Sequence, residues 1–425
     1  MIRQTATMPS KPTTMRAAGA AACLLLAVSC GSSSKSAPSA TATDGSAITI
    51  ALDSAVPTIA PSLTAPPAPT NPPVPTLPAP TAGNVYAATG PDGLRADIAA
   101  APHYAYVPST DDGTVTVIDQ ATFQIIDKFD VGDLAQHVVP SFDMKTLYVN
   151  ASGWNQLVPI DPMTGKPGEP IKVDAPYNLY FSPDGRTAIV MAERRQRMDF
   201  YDVASWQLFA STDVPCKGIN HADWTADSAW FLASCEFSGE LLQVSTSTLQ
   251  ITKTIKLSDT AQPQDVRLTP DGTKFYIADM ESDKVWIVDA TTAEVTGSID
   301  TPGGTHGIYP SRDAKYMYVS SRGRGEEDHG RKSHEGEGAV SVIDPLTDTI
   351  VATWTIPGGG SPDMGGVSID GSQLWLSGRF DDEVYVFNTT DGSLLARIKV
   401  DGGPHGLALW PQPGRFSLGH TGNIR

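Results

Sequence analysis

The residues best suited to chemistry are imidazoles and carboxylates that recur ahead of a repeated turn. His137 and His221 stand six residues before a turn aspartate, and His306 and Asp363 stand seven residues before theirs. Asp265, Asn178 and His405 occupy equivalent or neighbouring slots. Brought together, imidazole and carboxylate groups suit zinc, copper or nickel. Polar groups converging from separate units would also serve a small ligand. The same residues would equally solvate a wet channel and cap its loops. The one-residue difference in spacing matters, because in a regular strand it turns the side chain to the other face.

Two further histidines, His329 and His334, lie in a glycine-rich stretch of mixed charge between Arg322 and Gly338. They are candidate metal ligands, although no fixed metal spacing such as His-Glu-x-x-His surrounds them. A solvated loop is the other reading of that stretch. Cys216 and Cys235 form a candidate disulfide, with two free thiols or soft-metal ligands beside His221 as the alternatives. The chain has no Gly-x-Ser-x-Gly elbow, Walker loop, Gly-x-Gly-x-x-Gly, Cys-x-x-Cys or Cys-x-x-Cys-His, so no catalytic residue is assigned.

The elements that must position these groups follow from a repeat. A turn aspartate recurs at Asp143, Asp184, Asp227, Asp271, Asp313 and Asp370, often as Pro-Asp-Gly. Five residues after each, an apolar residue opens a short strand: Tyr148, Ile189, Leu232, Tyr276, Tyr318 and Trp375. Tyr106 takes that slot in a first unit without the aspartate. A further strand closes on Asp119, Asp161, Asp202, Ser245, Asp289, Asp344 and Asn388. The step from opener to terminator is 13 residues in six units and 26 in the unit of Tyr318, so that unit carries an insertion of 13.

Each unit reads as four short strands: A before the turn, B after it, then C and D. Short apolar runs with turns every 8–12 residues imply an all-β chain, and a four-stranded repeat of about 41–44 residues implies a propeller blade. The expectation is a seven-bladed β-propeller of four-stranded blades over 85–425. The A–B turns share one face, so the D–A and B–C loops share the other. The candidate residues of strand A and the insertion of blade six then lie on the D–A/B–C side.

Tyr148-Val149-Asn150-Ala151, Tyr276-Ile277-Ala278-Asp279 and Tyr318-Val319-Ser320-Ser321 resemble the YVTN repeat. With Ser-Pro-Asp-Gly before and Val-Ile-Asp after, residues 90–410 are similar to the YncE-like group of secreted bacterial propellers. That resemblance implies the seven-bladed fold. It leaves the activity open, since related propellers include surface proteins, cofactor-handling proteins and lactonase-like enzymes.

Ahead of the repeats, residues 1–29 carry Arg3, Lys11 and Arg16 and a short apolar stretch from Ala17 to Val28, the pattern of a signal peptide whose start is Met1 or Met15. Leu26-Ala27-Val28-Ser29-Cys30 resembles a bacterial lipobox, which implies lipidation at Cys30. An ordinary signal peptide with an incidental cysteine is the alternative. Residues 30–84 hold 11 of the 34 prolines and read as a disordered Pro/Ser/Thr/Ala-rich tether. The net charge of −17 argues against a nucleic-acid partner.

The expected protein is therefore exported and lipid-anchored at the cell membrane or its periplasmic or extracellular face. It is expected to be a monomer that binds an unknown envelope protein or small ligand without catalysis. A metal- or tetrapyrrole-handling propeller, a lactone hydrolase and a surface adhesion module are the alternatives. Palmitate labelling tests the anchor: incorporation into the wild type and none into Cys30→Ala is expected, and equal labelling refutes it.

Overall fold

The computed structural model describes residues 83–323, 338–420 and 422–425. The proposed signal peptide, Cys30 and nearly all of the tether lie outside the described residues, as do His329 and His334. The described residues form seven antiparallel sheets, the blades of a propeller. Blade two, for example, starts on inner strand Ala135–Pro140 and continues through Leu147–Ala151 and Gln156–Asp161.

The turn aspartates explain why each A strand reverses into B. In six blades a Ser or Thr hydroxyl two residues upstream donates to the aspartate, as in Ser182 to Asp184 at 2.6 Å. The same oxygen accepts the backbone N–H two residues downstream, as from Arg186 at 3.1 Å. The residue between has positive φ, which is why glycine stands at 185, 272 and 371. The C-strand terminators act likewise: Asp119 Oδ1 accepts the N–H groups of Ala121 and Thr122 at 3.0 and 2.8 Å.

Burial follows position in the blade. The inner strands Ala135–Pro140, Ile219–Trp224, Pro263–Leu268 and Pro362–Val367 are buried at every residue. Outer strands such as Ile125–Asp130 are largely exposed. Apolar clusters fill the spaces between neighbouring blades, as where Leu232 and Leu241 meet Val266 and Phe275.

The ring closes by a strand from late in the chain. Ala408–Trp410 pairs with Tyr104–Tyr106 and becomes the innermost strand of blade one, whose other three strands are Tyr104–Ser109, Thr114–Asp119 and Ile125–Asp130. The chain then crosses the A–B side and folds back, with Leu418 N–H donating to Asn423 C=O at 2.8 Å. Residues near 85 pack on the same side, where Tyr86 Oη donates to Leu268 C=O at 2.8 Å.

A disulfide joins Cys216 and Cys235, with Cα atoms 6.0 Å apart. Cys235 is the last residue of strand Trp230–Cys235 rather than a residue beyond it. In blade six the expected insertion falls between Met317–Ser321 and Ala339–Asp344.

Removing residues 408–425 strips the inner strand from blade one and exposes the apolar faces that Leu409 and Trp410 cover. The expected outcome is loss of the cooperative thermal transition, followed by near-UV circular dichroism. A truncated chain that melts as sharply as the full one would show that closure is dispensable.

Candidate functional site

The spacing difference among the candidates is resolved by a β-bulge shared by five inner strands. In blade two Ala135 faces Ala151 and Val138 faces Val149, so Gln136 and His137 together oppose one residue. The same skip places Asn220 and His221, Gln264 and Asp265, His306 and Gly307, and Asp363 and Met364 in bulges. A bulge re-aims side chains. His137, His221 and Asp265 take the second bulge position, and His306 and Asp363 take the first. All five side chains reach the same buried cluster.

His137, Asn178, His221, Asp265, His306, Asp363 and His405 are all brought together, each at most 1 % exposed. His405 precedes its inner strand rather than lying in it, held by its N–H to Pro108 C=O at 3.1 Å. Ring centroids of His137 lie 4.7 Å from His405, 5.7 Å from His221 and 5.1 Å from His420. His420 was not legible as a member, because it lies beyond the last repeat. It enters from the turn after Gly419 and has φ of 37°, an uncommon conformation for a side-chain-bearing residue.

Two His/Asp groups could hold a metal, His221 with Asp265 and His420, and His306 with Asp363 and His405, the ligand atoms of each group lying within 4.8 Å of one another. Asp265 Oδ2 takes the Ile308 N–H at 2.9 Å and Arg267 at 3.2 Å, while its Oδ1 has no hydrogen-bond partner among the described residues. Asp363 Oδ1 takes Arg322 Nε at 2.8 Å and lies 2.9 Å from His306 Nδ1, off the line of a good hydrogen bond. Its Oδ2 has no hydrogen-bond partner among the described residues.

Burial sets the protonation states. It pushes His137 down to about 3 and, with the Arg322 guanidinium, His306 down to about 4. It holds His221, His405 and His420 well below the ordinary histidine value. These rings are neutral at physiological pH, with lone pairs available. Burial works to raise Asp363, but the Arg322 guanidinium beside it outweighs burial and the carboxyl is held well below the usual range. Asp265 is raised by burial against the pull of Arg267.

The residue directly after each B strand forms a second ring at the B–C side: Thr110, Ser152, Glu193, Glu236, Met280, Arg322 and Arg379. Its acids come from blades three and four and its guanidinium groups from blades six and seven. All four charges act on Tyr177. Aligning the repeats on that slot exposes the division, a signal present in the sequence but missed by following histidines alone.

Burial, then the charge of Glu236, raises Glu193 to about 7. Its folded pKa exceeds its ordinary value, so the folded state binds the proton more tightly and loses stability as pH rises from about 4.5 to about 7. The buried histidines act in the opposite sense, losing stability as pH falls, so a variant comparison isolates the acid. Glu193→Gln is expected to melt above the wild type at pH 8, with the gap shrinking toward pH 5. A gap independent of pH would contradict this.

A family model for YNCE-like beta-propellers matches residues 76–413. Among curated proteins, antigen Lp49 of Leptospira interrogans is 34 % identical over 115 residues, which are 27 % of this chain and 25 % of that protein. The chain thus matches a quarter of the length of that relative. A putative 6-phosphogluconolactonase from Bacteroides uniformis superposes with a TM-score of 0.58 at 18 % identity, covering 72 % of this chain and 99 % of that one. The dihydro-heme d1 dehydrogenase NirN gives a TM-score of 0.52 at 15 % identity, covering 72 % and 74 %. At these identities the two structures share the fold alone. With its repeats, its seven blades and a family match across nearly all the described residues, the chain belongs to the YNCE-like beta-propeller family.

Proposed function

We propose that this chain is an exported, non-catalytic binding propeller, anchored through Cys30, that takes a divalent transition metal ion into its channel through the D–A/B–C mouth. The observation that carries the reading is the convergence of five buried neutral imidazoles with two carboxylates, several of whose polar atoms have no hydrogen-bond partner among the described residues. A buried polar atom left unpaired is costly, so such atoms point to a bound group. Neutral imidazole and carboxylate suit zinc, copper or nickel, and a ligand atom must be unprotonated to bind.

Export is supported by the leader-like sequence and by the Cys216–Cys235 disulfide, since disulfides persist in oxidising compartments. No helix among the described residues is long and apolar enough to cross a membrane. Entry from the D–A/B–C side is supported by the crossing of residues 411–420 and 422–425 on the A–B side, where Arg425 pairs with Asp223 at 2.7 Å.

Metal analysis of protein purified from its native envelope, with calorimetric titration by Zn²⁺, Co²⁺ and Cu²⁺, tests this. About one ion per chain is expected. The His221→Ala/His405→Ala double variant should lose it, while Asp184→Ala, at an A–B turn, should retain it. No uptake by the wild type, or uptake untouched by the double variant, would overturn the proposal.

A further inference from the structure

The five buried histidines are not chemically equivalent, because their hydrogen bonds fix different tautomers. His137 Nδ1 lies 3.0 Å from the Tyr177 carbonyl oxygen, and His405 Nδ1 lies 3.2 Å from Gln136 Oε1. Both partners are oxygens that only accept, so both rings carry the proton on Nδ1 and present a lone pair at Nε2. Neither Nε2 has a hydrogen-bond partner among the described residues.

His221 and His420 are the reverse. Asn178 Nδ2 lies 3.2 Å from His221 Nδ1 and 3.3 Å from His420 Nδ1. The amide is oriented by its Oδ1, which accepts the Leu179 N–H at 3.0 Å. That nitrogen can only donate, and it also lies 3.3 Å from Tyr180 Oη, so two hydrogens serve three neighbours. A proton on either Nδ1 would set N–H against N–H, and both rings therefore carry their proton on Nε2. His420 aims that N–H toward Asp265 Oδ1, 3.7 Å away. His306 Nε2 accepts from Arg322 Nη2 at 2.7 Å, which leaves its proton on Nδ1, 2.9 Å from Asp363 Oδ1 but off the line of a good hydrogen bond.

From this division we infer that the metal ligands are His405 Nε2, Asp363 Oδ2 and His137 Nε2, on the side of blades seven, one and two. His306 positions Asp363, and His221 and His420, which carry their protons on Nε2, do not ligate, although His221 Nε2 also has no hydrogen-bond partner among the described residues. The inference rests on the reading that the channel takes a metal, and it selects the ligands by tautomer.

The outer partners agree with the assignment, as does the separation of two of its ligands. His137 lies outside both His/Asp groups named above and joins the set by its tautomer, its ring centroid 4.7 Å from that of His405. Two donors of a tetrahedral zinc ion, each about 2.0–2.2 Å from it, stand about 3.4 Å apart. His405 Nε2 and Asp363 Oδ2 are 3.6 Å apart. Each proposed ligand has an outer partner of the kind metal-ligating groups use: a backbone carbonyl for His137, an amide oxygen for His405, and Arg322 for the second oxygen of Asp363.

Two measurements test the inference. Long-range ¹H–¹⁵N spectra of metal-free protein labelled in histidine report the tautomers directly. Among rings still neutral at pH 5, three Nδ1–H and two Nε2–H forms are expected. A majority of Nε2–H forms would overturn the assignment without bearing on metal uptake.

Zn²⁺ titration of single variants then ranks the groups. His137→Gln and His405→Gln should each weaken binding more than about 100-fold, and Gln136→Leu about 10- to 100-fold. His221→Gln and His420→Gln should change it less than about threefold, which is within the loss of one outer hydrogen bond. The reverse ranking overturns the ligand set and leaves metal binding standing. A wild-type chain that takes up no Zn²⁺ overturns both readings. Thermal melts of each variant separate loss of binding from loss of fold, and the spectra need no substitution.

Discussion

Everything in this molecule depends on how the innermost strand of each blade satisfies its unpaired edge. That strand has a ladder partner on one side only, and a buried N–H without a partner is costly. The next blade cannot supply a regular ladder, because blades are packed face to face. Side chains fill the gap instead. Tyr180 Oη accepts the Ala222 N–H at 2.8 Å, Asp223 accepts Leu268, Asp265 accepts Ile308 at 2.9 Å, and Tyr309 accepts Gly365. From blade three to blade seven the ring is thus hooked together by polar side chains of the preceding inner strand. A polar channel is therefore a condition of the fold before it is a site.

That condition also explains how a site can arise at small cost. A carboxylate has two oxygens, and the structural task in Asp265 and Asp363 occupies only one of them. The bulges turn two successive residues of the same strand toward the axis, which lets histidines from positions of unlike spacing meet. Burial then keeps every ring neutral, whereas the guanidinium of Arg322 keeps Asp363 charged. One acid in the cluster is thereby held ionised among neutral imidazoles, an arrangement that favours a cation.

The fold was legible because its turns are chemical as well as periodic. An aspartate that accepts one hydroxyl and one N–H leaves a fixed mark in sequence, and six such marks at constant distance from an apolar opener define a blade. The candidate residues in strand A were legible for the same reason. Their meeting was not, since it relies on bulges that repeat spacing alone does not announce. His420 lay outside any repeat, and the closing strand Ala408–Trp410 carries too few residues to stand out. Glu193, Glu236, Arg322 and Arg379 occupy a repeated slot, yet their opposition across the mouth appears only when the blades are arranged in a circle. The tautomers depend on which atom of Gln136 or Asn178 faces each ring, which no sequence records.

The closing strand has a consequence in time. The cluster draws on residues from His137 to His420, and the inner wall of blade one is translated after all the other blades. Until Ala408–Trp410 docks, His405 has no fixed place and the channel has a missing wall. A chain still being made therefore has histidines but no cavity. A metal ion of the kind proposed would be acquired only where folding ends, from the solution present there. The order of the strands thus decides which compartment provisions the protein, independently of how tightly it binds.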